Sequence, residues 1–241
     1  MRHVHLVRLL ICSTVAIAIC GPSTLASGAG NDRLRINFDQ GQSLAVGTLV
    51  SDVSGSANNG VVRSRYGGTI TRMTAVAAYP SVCSLEPCPN ALIEINDAVN
   101  LNPGKASFEW GATIELQRRE ATTGQNIIQK GTFDGPGQWK LQVDNAAGQP
   151  SCKISGFAGT RRRTARVVSS QSVADGHRHQ VTCRRTSGKL DIIVDGVIRG
   201  STSSVTLVMS NSSPVTIGAR NLEKNNDQFY GRLDDVFMRL I

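Results

Sequence analysis

The chain reads as an all-β fold, an antiparallel sandwich or barrel, on three observations. Short runs alternate apolar with polar residues, polar glycine-rich turns recur between them, and no helical run of useful length occurs. From Arg33 onward the sequence LRINF is the first alternating strand. Turns follow at residues 39–42, 54–60, 102–104, 133–137 and 145–149, and the stretches 92–95, 107–116, 126–130, 139–143, 153–157 and 205–209 read as strands between or beyond them. The strongest local signal is DGHRHQVTCRRTSGKLDIIVDGVIRG, beginning at Asp175. There His179, Val181 and Cys183 share one strand face, and Arg178, Gln180, Thr182 and Arg184 share the other. Thr186, Ser187 and Gly188 make a turn, residues 189–194 form a β-branched strand, and Asp195-Gly196 is the dipeptide favoured in a two-residue hairpin turn.

The first residues have the layout of a secretory signal: basic MRHVHLVR, the apolar LLICSTVAIAIC, then small residues in TLASGA. Cleavage is expected after Ala26, or as late as Ala29, leaving residues 27–241 as a single domain that is secreted or extracytoplasmic. The apolar run is shorter than the roughly 20 residues of a spanning helix, and Ile19 is a poor residue before a lipid-modified Cys20. Loss of the signal removes Arg2 and Arg8, leaving 24 basic against 18 acidic residues. Such a basic domain favours anionic surfaces such as sulfated or uronic glycans, teichoic acids, nucleic acid or acidic lipid headgroups, without selecting among them, and no motif for specific nucleic-acid recognition accompanies the charge.

Four cysteines remain, which allow three pairings. Cys83 and Cys88 bracket a short proline-containing loop, whereas Cys152 and Cys183 lie in strand-like runs, so the expected disulfides are Cys83–Cys88 and Cys152–Cys183. A four-thiolate zinc site needs closer second spacing, and an oxidising compartment favours disulfides.

Strand, glycine turn, strand and VDG turn, then VTIGARN and FYGRLDDVF, resemble the laminin-G-like group of the concanavalin A-like lectin/glucanase superfamily. SDVSGSANNG is similar to that group's D-x-S-G-x-x-N-x-G loop, ASFEWGATIEL to its first long strand and NIIQKG to the strand after it. The chain departs from the group at Arg178, where an aromatic residue is common, and at Gln180, which replaces the second of two histidines. The resemblance implies a two-sheet antiparallel jelly-roll sandwich. It also implies a structural calcium ion at the rim, with Asp52, Asn58 and Asp235 as ligands suited to a hard cation. Asp52 and Ser54 also suit turn capping without a metal.

For ligand binding, Arg161, Arg162, Arg163 and Arg166 form a basic cluster whose guanidinium groups suit sulfate, carboxylate or phosphate. Arg178, Arg184 and Arg185 extend it if their strand lies alongside. A sugar platform needs an exposed aromatic ring; Trp110 belongs to a core strand, which leaves Trp139 after its turn and then Tyr230. Catalysis finds little support. The paired carboxylates of a retaining glycanase are missing at the required spacing, and His177 and His179 stand without a nucleophile motif. The expected activity is non-catalytic recognition of a glycan, in particular an anionic one, or of another extracellular ligand. A protein-binding or cell-envelope role is the alternative, and a divergent polysaccharide lyase or glycanase is the third.

Overall fold

The computed structural model describes Met1 and residues 31–241 except 40, 42 and 204–206, so the expected signal segment lies outside the described residues. In chain order the strands are β1 (Asp32–Ile36), β2 (Leu49–Val50), β3 (Gly60–Arg65), β4 (Thr71–Met73), β5 (Val76–Ala78), β6 (Asn90–Ile95), β7 (Phe108–Glu115) and β8 (Gln125–Lys130). They continue as β9 (Gln138–Val143), β10 (Pro150–Ala158), β11 (Arg161–Val168), β12 (Arg178–Arg185), β13 (Lys189–Val194), β14 (Val197–Ser203), β15 (Val215–Ile217) and β16 (Arg232–Leu240). One sheet runs β14-β13-β12-β7-β16-β5-β4, with β1 also on β16; the second runs β11-β10-β9-β8-β15-β6-β3-β2. The sheets form an antiparallel sandwich, one of the two architectures that the turns and alternating runs allow, and the jelly roll is the form that the laminin-G-like resemblance implies.

Alternation explains how each sheet divides its side chains. In β9, sequence QWKLQV, Trp139, Leu141 and Val143 point inward and are buried, while Gln138, Lys140 and Gln142 take the opposite face. Across the core, Trp139 meets Trp110 at 6.1 Å and Phe108 at 6.4 Å between ring centroids, and Phe108 stacks on Trp110 at 4.6 Å. The β13–β14 hairpin turns at Asp195 and Gly196, whose φ angles of 52° and 76° suit the tight turn that this dipeptide favours.

Both expected disulfides are present, Cys83–Cys88 and Cys152–Cys183. The second joins β10 in one sheet to β12 in the other, tying the sandwich through its core. Residues 161–168 form a strand at the edge of the second sheet. The strand expected at 205–209 needs correction. Residues 207–209 make isolated bridges from Val208 to Phe157 and from Met209 to Gly104 in place of a strand, with Leu207 and Met209 buried; Val205 lies outside the described residues.

Candidate functional site

The outer face of the second sheet carries a polar row fixed by strand register. Thr216 on β15 lies opposite Gln129 on β8, Gln129 opposite Lys140 on β9, Lys140 opposite Lys153 on β10, and Lys153 opposite Arg166 on β11. A parallel row places Gln138 beside Ser155 and Ser155 beside Thr164. Loops bearing Phe133, Asp134, Arg220 and Asp227 stand over these rows and enclose a groove of about 520 Å³, a volume suited to a small ligand or sugar unit.

The sheet face under and beside the groove combines fixed charge with buried polar atoms that have no protein partner. Lys140 donates to Asp227 Oδ2 at 2.7 Å, and burial lowers its pKa against the opposing pull of that carboxylate. Lys153 Nζ lies 4.2 Å and Arg162 Cζ 5.0 Å from the centroid of Phe133, which is exposed. Burial and then the Arg162 charge lower the Lys153 pKa. Neither cation forms an ion pair with a carboxylate among the described residues. Gln129 and Gln138 both donate through Nε2 to Gly131 O, at 3.1 and 3.3 Å, and their buried Oε1 atoms accept nothing. Arg162 donates from Nη2 to Ser155 Oγ at 3.0 Å, while its buried Nε has no partner.

The arginine cluster does not form one patch. Arg162 and Arg166 share the sheet face of Lys153 and Ser155, on the groove side, whereas Arg161 and Arg163 project from the other face of β11 near its hairpin tip. Asp144 neutralises Arg166 in an ion pair. Arg178, Arg184 and Arg185 belong to the opposite sheet and do not extend the cluster. Arg178 pairs with Asp234 at 2.5 Å and Arg184 with Glu109 at 2.5 Å. Arg185 is buried, donating to the carbonyls of Lys105 at 2.8 Å and Leu207 at 2.6 Å.

Trp139 is no sugar platform, being 1% exposed within the core stack. The residue that presents an aromatic ring to the groove is Phe133. Its place in a turn next to Asp134 and Gly135 is the only sequence signal for it. Tyr230 is half-buried at the opposite rim, beside Glu86. His179 bridges two acids at the margin of the first sheet, Asp195 at 2.7 Å and Asp175 at 3.0 Å.

Asp52, Asn58 and Asp235 do gather around one end of β1, but as a hydrogen-bonded loop. Asp52 Oδ1 accepts from the Arg35 and Ser54 amides, each at 2.9 Å, and Oδ2 accepts from Ser54 Oγ and the Asn58 amide, also at 2.9 Å. Asn58 donates to Arg33 O at 2.6 Å. Asp235 pairs with the Arg35 guanidinium at 2.9 Å, and that guanidinium also holds Asp32. With Asp52 saturated by donors and Arg35 supplying the positive charge, these residues do not fit a calcium ion. Among the described residues no group of three or more His, Cys, Asp or Glu side chains is placed to hold a metal.

A family model described as the concanavalin A-like lectin/glucanases superfamily, of laminin-G type, matches residues 94–238. The chain belongs to this superfamily. Solved members of like fold include the binding domain of Paraclostridial Mosquitocidal Protein 1, with a TM-score of 0.61 and 16% identity over 88% of this chain and 49% of that one. The binding domain of Botulinum Neurotoxin DC, in complex with SialylT, gives 0.59 and 14% over 88% and 48%. Domain 4 of AbnA, a GH43 extracellular arabinanase from Geobacillus stearothermophilus, in complex with arabinotriose, gives 0.58 and 12% over 87% and 93%. The lectin/glucanase chain described here thus spans about half the length of the toxin binding domains and nearly all of the arabinanase domain. Curated protein sequences give no match. At such identities the likeness to these structures is one of fold.

Proposed function

We propose that this chain is an extracytoplasmic, non-catalytic glycan-binding module whose groove on the second sheet takes an acidic sugar unit. The observation that carries the reading is the placement of Lys153 and Arg162 beside the exposed Phe133, with neither cation ion-paired to a carboxylate among the described residues. A uronate carboxylate relieves the repulsion between the two cations. Phe133 offers the apolar surface on which a sugar's C–H face packs. Of the three groove carboxylates, Asp144 and Asp227 are each held by a cation, Arg166 and Lys140, and Asp134 lies in the field of Arg162, an arrangement that suits binding better than acid/base chemistry. Two disulfides support an oxidising compartment. Among the described residues no helix is long and apolar enough to cross a membrane.

A glycan array read at two salt concentrations tests the proposal. Uronate-bearing glycans are expected to bind, to weaken at high salt, and to be lost in a Lys153→Ala, Arg162→Ala double variant while Arg161→Ser, Arg163→Ser retains them. The opposite pattern moves the site to the hairpin tip, and a failure of every glycan to bind rejects the reading.

A further inference from the structure

A second cavity of about 240 Å³ adjoins the groove, and Thr123 and Asp227 line both. Its chemistry differs from that of the first. Tyr230, Asn225 and Thr123 contribute a phenol, an amide and a hydroxyl, while Glu86 and Lys224 offset one another in charge; the Gln228 amide is spent on backbone groups, among them Ala91 and Gly218. The Cys83–Cys88 disulfide closes one side, and the Cys88 amide donates to Glu86 Oε2 at 3.1 Å. Tyr230 has no side-chain hydrogen bond to a described residue. Burial, then the Glu86 charge, raise its pKa, which keeps the hydroxyl protonated and able to donate.

Asp227 fixes the spacing of the two cavities. Its carboxylate holds Lys140 at 2.7 Å, its main-chain oxygen accepts from the Asn126 amide at 2.7 Å, and its φ of 56° sets the turn of the loop. The groove therefore offers two adjoining compartments, one cationic with a phenylalanine and one of balanced charge with a tyrosine.

From this arrangement we infer that the site reads an internal stretch of a mixed glycan chain, with an acidic unit at Lys153 and Arg162 and a neutral unit beside it against Tyr230. The inference rests on the glycan-binding reading above. A second carboxylate finds no surplus positive charge in the Tyr230 cavity, whereas a neutral pyranose meets an aromatic ring for its C–H face and the Asn225 amide and Thr123 hydroxyl for its own hydroxyls.

Calorimetric titration with glucuronic acid, size-defined hyaluronan oligosaccharides and oligogalacturonates of equal length tests this. Affinity is expected to rise at least about tenfold from the monosaccharide to a hyaluronan tetrasaccharide, and to rise less with oligogalacturonate. Tyr230→Ala removes the gain on lengthening while leaving glucuronic acid affinity within about twofold; Tyr230→Phe, which keeps the ring, retains most of it. Unchanged melting temperatures establish that both variants fold. Glucuronic acid binding with no gain on lengthening, or an equal gain with the all-acidic oligomer, overturns the two-unit inference alone. No binding of any uronate by the wild-type chain overturns the acidic-groove reading together with it.

Discussion

Replacing Cys152 and Cys183 with alanine removes the covalent tie between the two sheets and leaves no buried hydroxyl behind. The bridge spans 31 residues, and both of its cysteines are fully buried. Closing a loop of that length restricts the unfolded chain by about 3.7 kcal/mol at 25 °C. For a domain of this size, that corresponds to a fall of about 7–15 °C in melting temperature. The Cys83–Cys88 bridge spans only 5 residues, and the same relation gives about 2 kcal/mol, or about 4–8 °C. Scanning calorimetry of the two double-alanine variants measures the ratio, with urea unfolding to check that the transition stays two-state. The variants should also separate by function. Loss of Cys83–Cys88 loosens the wall of the Tyr230 cavity and weakens oligosaccharide binding, whereas loss of Cys152–Cys183 leaves binding intact below its lowered melting point. A larger fall for the short bridge, or a fall of less than about 1 kcal/mol for the long one, would refute the reasoning.

Two further outcomes follow from side-chain partners. Burial disfavours the His179 cation, but hydrogen bonds to Asp195 and Asp175 outweigh it and raise the His179 pKa above 6.5. Its stabilisation is therefore fully present below the unfolded-state value and fades as pH rises through the folded one. His179→Gln should lower the melting temperature more at pH 5.5 than at pH 8.5, and a pH-independent difference would sink this account. For calcium, a site filled at a hundred times its Kd adds about 2.7 kcal/mol, a clear shift in a melting curve. Because Asp52 is saturated and Asp235 is paired with Arg35, neither calcium nor chelator should move the transition, and a chelator-sensitive rise would show that this loop rearranges around the ion.

Period-two alternation and turn chemistry are local properties, which is why the hairpin at Asp195-Gly196 and most strands were legible without coordinates. The disulfides were legible too, since the strand-like setting of Cys152 and Cys183 distinguishes them from the cysteines of a short loop. Trp139 was misread although the same rule applied to it: in QWKLQV the indole shares parity with Leu141 and Val143, which assigns it to the core. Its position after a glycine turn suggested exposure, but facing residues on the opposite sheet decide burial. The groove was not legible as a unit, because Lys140 and Lys153 come from two strands and Arg220 from a loop distant in sequence, and only long-range pairing brings them together. Phe133 and Asp227 lie in loops, where sequence carries no periodicity to report their direction.

Parity also explains why a conspicuous run of arginines makes a weaker site than scattered residues with no motif. Three consecutive arginines on an edge strand point alternately to opposite sides, so Arg161 and Arg163 cannot converge with Arg162 on one ligand. Such a strand suits protection of a sheet edge. By contrast, one cation from β10 and one from β11 meet at Phe133, and two glutamines from neighbouring strands turn their amides to the same carbonyl of Gly131. That shared acceptor fixes both amides and leaves both Oε1 atoms without a donor. A buried acceptor without a donor costs about 1–3 kcal/mol, and the two lie on the sheet face that carries the unpaired cations. Coming from four strands, these residues share one sheet face through register alone, which is why no sequence motif announces them.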